Sequence, residues 1–585
     1  MNKFYWLFLS LIFVLLRKDI VLAQSNICGN FTAQKIYPVP TANQLVSCPG
    51  SNSRVIYVST LGTDNNNGLS ANSPIKSLSK AISLTRRNSP DWIVLKRGET
   101  FNDSFGVLAY RAGEQPLGGN LVESPMVITS YGESTKRPIV QPGKNSGIDL
   151  WGSFRNITIS GLEFRQQPGQ GGIAIRTLYE GTNYVIHNNY IDGFALAINL
   201  QGQATNNQWF RNTIIKDNIL VNSASSGEGH SQAIFAQDYQ VLSITGNVID
   251  TCGWYKDRNG KLADSRAATI FNHCIYLQSG SDRATIRENI ITRASSHGLQ
   301  ARSGALVEAN VFARNPIQMF ISSKGYNGIS NKQAMVARNN VVLEGNDIND
   351  LQQRGTGIQH NNAYNAYYEN NIIAHLLSPS KYNKNALDIV CRTDDVHTSI
   401  TDECKSNFSH NFIYNWGNEL GGSLINTNNY KNSLVINHTL QENSFIAINN
   451  GIKFVTANNE ILNNRYNFAG NTYISNYLTV KNMFSLPGQP NVSFFAWKEN
   501  AESRAVGKNQ ISFVDPCRTF ATYYDDFVLG NTKSNCQIMH DDILFEKFID
   551  LAKQKNTMTG NSGINVNSFI NYVKEGFVES STHAN

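Results

Sequence analysis

His273 and His297 stand 24 positions apart, each opening a short strand-like run, HCIYLQ and HGLQAR, and His230 precedes a third, QAIFAQ. Three of only 11 histidines thus fall beside similar segments. Tyr276 and Arg302 lie in the same runs. Imidazole and phenol transfer protons at a suitable pKa, and a guanidinium can neutralise a carboxylate through two parallel hydrogen bonds. No acid cluster beside them completes a metal-ligand set, so no metal site is expected. No cofactor is expected either, with calcium left open.

Aligning Ile198, Ile234, Ile275 and Leu299 as inward residues, two positions before inward Leu200, Ala236, Leu277 and Ala301, fixes three outward columns by strand alternation. The first is small: Ala197, Ala233, Cys274 and Gly298. The second is Asn199, Phe235, Tyr276 and Gln300. The third is Gln201, Gln237, Gln278 and Arg302. Aromatic faces beside amides make a shallow groove suited to sugars, where Gln237, Gln278, Gln300, Asn199 and Phe235 would contact substrate. A solvated face with ordinary amide ladders is the plainer alternative. His273 and His297 share the phase of the inward residues, so the same alternation also allows a structural pair stacked inside a corner. An insertion, WYKDRNGKLADSRAA at 254–268, carries Lys256 and Arg258 and is expected either to grip substrate over the groove or to be a solvated excursion.

These residues need a scaffold that repeats. Asparagine occupies more than 70 of 585 positions, and charged residues only 16 %. The phrase apolar-x-x-Asn-apolar-apolar recurs around Asn189, Asn218, Asn247, Asn289, Asn310, Asn340 and Asn371, at intervals of 29, 29, 42, 21, 30 and 31 residues. Short alternating strands broken by Gly, Asn or Asp at such a period predict a parallel β-solenoid. Asn tolerates the left-handed conformation at corners, and its amide can bond to its copy one coil on. The ladder is expected to loosen after Asn411. A β-sandwich with Asn-rich turns is the competing fold, but its strands would be longer and carry no recurring Asn.

The entry segment, YVSTLGTDNNNGLSANSPIKSLSKAI at 57–82 followed by WIVLKRGETF, resembles the opening of secreted right-handed parallel β-helix proteins of the pectate-lyase-like superfamily. The resemblance implies a capping helix over 77–84. After 541 the apolar spacing becomes helical, in ILFEKFIDLAKQK and VNSFINYVKEGF. This tail is expected to be a small helical cap, over the far end of the solenoid or along its side. The expected organisation is a signal peptide over 1–23, an N-terminal segment over 24–54, an all-β right-handed parallel β-helix over 55–480, and a C-terminal region with a helical cap over 481–585.

The stretch SSHGLQARSGALVEANVF is similar to the one carrying the catalytic arginine in β-helix lyases of the alginate lyase and chondroitinase B family, and the match falls on Arg302. That resemblance implies β-elimination. The family's lysine base corresponds to Gln278, which cannot take a proton; Tyr276 or one of the histidines (His297, His273, His230) could substitute. An inverting hydrolase would need two carboxyl groups roughly 6.5–9.5 Å apart; Glu228, Asp238 and Asp250 are the acids expected near the groove.

The apolar run at 4–16, with VLA before Gln24, reads as a secretory signal. Eight cysteines agree with export: Cys28 with Cys48, Cys391 with Cys404 and Cys517 with Cys536 are near neighbours that could staple loops, Cys252 could pair with Cys274 or leave it a buried thiol in a strand-like run, and spacing leaves the connectivity open. The absence of a CxxC spacing argues against a zinc ribbon. A net charge of +6 suits an acidic polymer and is too small to argue nucleic acid. The sequence thus predicts a secreted, periplasmic or cell-surface monomer, free of the membrane after signal cleavage, that acts on an acidic polysaccharide. A lyase is favoured over an inverting hydrolase or a non-catalytic adhesive solenoid.

Overall fold

The computed structural model describes residues 28, 34–110, 113–166, 170–225, 230–253, 270–280, 284–323, 333–348, 354–377, 385–391, 403–417, 422–429, 435–457, 465–531 and 536–580. The expected signal peptide lies outside them. The chain is a right-handed parallel β-helix with three walls. One coil runs through strands Leu196–Gly202, Phe210–Lys216 and Ile219–Ser223, and the next through Gln232–Tyr239, Leu242–Thr245 and Val248–Cys252. Each strand pairs in parallel with its counterpart one coil on, so Ile198 meets Ile234, then Ile275, then Leu299. The third wall is a sheet of 14 strands. Ile, Leu, Val and Phe side chains from every coil fill one continuous apolar interior.

The repeated asparagine stands at the corner between the second and third walls. Asn189, Asn218, Asn247, Asn289, Asn310, Asn340 and Asn371 are all buried. Asn189 accepts from the Leu162 N–H, and each later one accepts from the backbone N–H and side-chain amide of its predecessor, as when Asn247 N and Nδ2 donate to Asn289 Oδ1 at 2.9 and 3.0 Å. The left-handed conformation falls on the residue before each ladder asparagine, for example Asn188, Asp217, Glu288 and Ala309. The ladder asparagine instead supplies the buried amide that pairs coil to coil. The expected loosening after Asn411 does not occur. The ladder continues through Asn443 and Asn471, then ends on the Glu502 carboxylate, which accepts from Asn471 N at 2.7 Å. The spacing between strands varies there while the hydrogen-bonded corner does not.

Helix Leu78–Ser83, capped by the Ser77 side chain, buries Leu78 and Ala81 against the first coils. At the other end helix Phe494–Asn500 inserts Phe494 and Trp497 into the interior. The tail lies along the side. Helix Asp542–Ala552 buries Phe545, Phe548, Ile549 and Ala552, a single stripe at helical spacing, and helix Val566–Gly576 buries Phe569, Ile570, Tyr572 and Val573. Both stripes pack on Val221, Val248, Ile290, Val311, Val341 and Ile372 of the third wall. That wall therefore has apolar residues on both faces.

Ion pairs rim this contact. Asp250, fully buried, meets Arg293 at 2.6 Å and Lys553 of the tail at 2.8 Å, and Arg314 joins Glu344 to Asp542. Burial alone would raise the Asp250 carboxyl, but the charges of Arg293 and Lys553 hold it well below the usual range. A carboxyl depressed on folding stabilises above its unfolded pKa of about 4, and that contribution is lost as pH falls through the folded value. The tail is therefore expected to loosen below about pH 4 and to stay docked from pH 5 to 8. Pepsin cleavage mapped by mass spectrometry should reach 515–580 ahead of the solenoid strands only in strong acid. Asp250→Asn should weaken docking at neutral pH by about 3 kcal/mol, since it leaves Lys553 without its carboxylate and Arg293 with Glu546 alone.

All four near-neighbour cysteine pairs are disulfides: Cys28–Cys48, Cys252–Cys274, Cys391–Cys404 and Cys517–Cys536. Among the described residues no helix is long and apolar enough to cross a membrane.

Candidate functional site

The second outward column is continuous along the first wall. Asn199 pairs with Phe235, Phe235 with Tyr276, Tyr276 with Gln300, and Gln300 with Phe320. The small column is not outward. Ala197, Ala233 and Cys274 belong to the apolar interior, Cys274 is tied to Cys252, and a Cβ on Gly298 would meet the Gln318 carbonyl oxygen at 2.8 Å. Strand pairing skips this position in each coil, from His273↔His297 directly to Ile275↔Leu299. The chain turns there, so two successive residues face inward and alternation breaks.

That break places His273 and His297 with the outward residues, against the inward phase they share by counting. The His273 ring lies 5.0 Å from Tyr276 and 4.6 Å from His297, and His297 lies 5.4 Å from Phe320. Tyr276 is 5.4 Å from Phe235, and the Arg302 guanidinium stands 5.4 Å from the Tyr276 ring centre. With the Gln300 amide assigned so that both ends are satisfied, it donates to His273 Nε2 at 2.7 Å and accepts from Arg302 Nε and Nη2, each at 2.8 Å. Arg302, Gln300 and His273 thus form one chain of hydrogen bonds. His273 consequently carries its proton on Nδ1, a buried atom.

His297 is held differently. Ser296 Oγ lies 3.3 Å from the Ile270 carbonyl oxygen, to which it donates, and 2.8 Å from His297 Nδ1, from which it then accepts. The tautomer so assigned leaves His297 Nε2 as a proton acceptor. Burial pushes His297 down to about 3, helped by the Arg302 and Arg354 charges, and pushes His273 well below the ordinary imidazole range. Both rings are neutral at physiological pH. Burial raises Tyr276, with Arg302 opposing, so the phenol keeps its proton there.

The other expected residues divide. The third column is interrupted, because Gln237 pairs with Ser279 across a register shift and Gln278 is the extra residue. Gln237 Nε2 is 3.2 Å from Asp238 Oδ2. Arg302 does stand beside Gln278, since its N–H donates to the Leu277 carbonyl. His230 is exposed, 5.1 Å from Phe271 at the edge of the cluster. Lys256, Arg258 and Glu228 lie outside the described residues. Asp250 is on the third wall under the tail helices, not at the groove. Counting missed Phe320 and Ser296. Extending the alignment to IQMFI would have supplied Phe320, whereas nothing local marks Ser296.

No protein-family model matches the chain, and no curated protein is similar to it. Among solved structures the chain is similar to a GH136 lacto-N-biosidase from Eubacterium ramulus, at 13 % identity over 71 % of this chain and 67 % of that one, with a TM-score of 0.38. It is also similar to a rhamnogalacturonan lyase, at 12 % identity over 72 % and 87 % with a TM-score of 0.32. A mannuronic acid specific polysaccharide family 6 lyase from human gut microbiota gives 10 % identity over 72 % and 86 %, with a TM-score of 0.33. The architecture of this chain rests on the strand register described above.

Proposed function

We propose that this chain is a secreted polysaccharide lyase that cleaves a uronate-containing polymer by β-elimination. The observation that carries the reading is the adjacency of Arg302, Tyr276 and two neutral histidines on one outward face. Arg302 would hold the uronate carboxylate and neutralise the charge that grows on it as the neighbouring C–H proton leaves. His297 Nε2 would take that proton. The electron pair forms the C4–C5 double bond, the bond from C4 to the leaving oxygen breaks, and Tyr276, still protonated, returns a proton to that oxygen.

The test is incubation of the mature protein with alginate, pectate, glucuronan and glycosaminoglycans, followed by ultraviolet absorbance. β-Elimination leaves an unsaturated uronate that absorbs, whereas hydrolysis and binding leave none. A flat trace with new reducing ends would replace this reading with the hydrolase, and a flat trace without them on every uronate polymer would leave the adhesive solenoid.

The acid–base assignment predicts an unusual pH profile. The acidic limb of kcat/KM, which reports the free enzyme, should fall near pH 3, where His297 titrates, and not near the ordinary imidazole value of about 6.5. The alkaline limb should lie above about 10, because Tyr276 is raised. An acidic limb close to 6.5 would remove His297 as the base.

A further inference from the structure

A second cluster of chemistry-bearing side chains lies inside the solenoid, away from the proposed site. Strand Thr356–Asn361 brings His360, strand Asn385–Cys391 ends on Cys391, strand Glu403–Ser409 carries Cys404 at its second position, and strand Val435–Gln441 brings His438. The two cysteines belong to one coil, His360 to a strand of the preceding coil and His438 to one of the next. All four are buried, and one donor atom from each lies within 4.8 Å of every other.

The orientation of the rings is specific. His438 Nε2 is 3.3 Å from Cys391 Sγ, and His360 Nε2 is 3.4 Å from Cys404 Sγ. The far nitrogens are occupied: His438 Nδ1 by Ser406 Oγ at 2.7 Å, His360 Nδ1 by Tyr368 Oη at 3.1 Å. A hydroxyl on one ring nitrogen fixes the orientation of the imidazole and leaves the other nitrogen facing the sulfur, as the partners of metal-bound histidines do. For Zn–S near 2.3 Å and Zn–N near 2.0 Å in tetrahedral geometry, sulfur and nitrogen would stand about 3.5 Å apart, close to both distances here. Paired in a disulfide, as in this structure, the sulfurs are only weak acceptors for two imidazoles enclosed with Ile436.

We propose that His360, Cys391, Cys404 and His438 form a Cys2His2 site for one zinc ion, available while the two cysteines are thiols and closed when they pair. Two thiolates and two imidazoles in a tetrahedron select zinc among common divalent ions. Binding converts two Cys–SH groups and Zn2+ into two Zn–S bonds and releases two protons, with no change of oxidation state. Cysteines are synthesised as thiols, so the metal can hold the corner between coils before any oxidant reaches it. The 392–402 connection joins the two cysteines, and His360 and His438 tie that coil to its neighbours.

The experiment uses the full chain produced in a reducing cytosol with zinc in the medium. One zinc per chain is expected after dialysis, with Cys391 and Cys404 resisting alkylation until a chelator is added. Cobalt in place of zinc should give tetrahedral d–d absorption and a thiolate charge-transfer band. His360→Ala with His438→Ala should cut the bound metal at least tenfold, whereas Cys517→Ser with Cys536→Ser should leave it unchanged. Because the double alanine variant could fail to fold, His438→Cys provides the second reading: it retains one metal and strengthens the charge-transfer band by about half, three thiolates replacing two. A reduced, folded chain that holds no zinc or cobalt overturns the proposal. So does metal that survives both histidine substitutions, or a charge-transfer band unaltered by His438→Cys.

Discussion

Arg302→Ala is expected to lower turnover of a uronate polymer by about a thousandfold while the chain stays folded. The loss follows from what the guanidinium does in the proposed reaction. As the proton leaves, the carboxylate gains a second unit of negative charge, and a preorganised donor at that point is worth about 10²–10³ in kcat. The fork of Arg302 is already aimed, because Nε and Nη2 both bond the Gln300 amide oxygen at 2.8 Å, which holds the group beside Tyr276. Removing it leaves the buried Gln300 amide oxygen short of two donors, a cost of about 1–3 kcal/mol that thermal unfolding measures separately from the rate. Arg302→Lys should recover only part of the rate, since a point charge cannot hold a carboxylate and the Gln300 oxygen in one plane. Tyr276→Phe should cost about 10²–10⁴, the usual worth of a positioned acid. Unaltered kcat in Arg302→Ala would remove Arg302 from the reaction.

Asn289→Ala should destabilise the chain by on the order of 4 kcal/mol, as much as truncating a buried phenylalanine of the interior. Its amide nitrogen donates to the Ile244 carbonyl at 2.9 Å and to Asn310 Oδ1 at 2.9 Å, and its oxygen accepts from Asn247 N and Nδ2. Alanine orphans a backbone carbonyl, a backbone N–H and one half of a neighbouring amide, each fully buried, at about 1–3 kcal/mol apiece. The same change at exposed Asn72 should stay within about 0.5 kcal/mol. Chemical unfolding of the two variants side by side measures the contrast. A loss below about 1 kcal/mol at Asn289 would mean that the ladder marks the corner without holding it.

Much of the fold was legible because it is periodic. Ile198, Ile234, Ile275 and Leu299 align from sequence alone, since stacked coils repeat one local solution and the apolar interior admits one phase. The ladder could be read for the same reason, and even its continuation through Asn443 and Asn471 was present in QENSFI and AGNTYI. The helical tail announced its amphipathic stripe, though not the wall it covers.

The candidate site was less legible because a bend breaks the two-residue alternation. Nothing in HCIYLQ says that Cys274 and Ile275 both face inward; the Cys252 bridge and the packing behind Gly298 decide that, and with it the exposure of the histidine edge to Tyr276 and Gln300. Gln278 left its column through one inserted residue, a change of register that composition cannot show.

The cysteine pairing was settled by the structure, whereas the sequence by itself determined the solenoid, its asparagine corner and the run of residues from which Arg302 and Tyr276 come. Each of these depends on neighbours a fixed number of positions away, either along a strand or one coil on. Tertiary structure alone decided that the histidines join Arg302, that Asp250 belongs to the tail, and that His360, Cys391, Cys404 and His438 converge. Those contacts cross between coils or between walls through connections of unequal length. The separation in space of their side chains is set by packing and hydrogen bonding, which no spacing along the chain encodes.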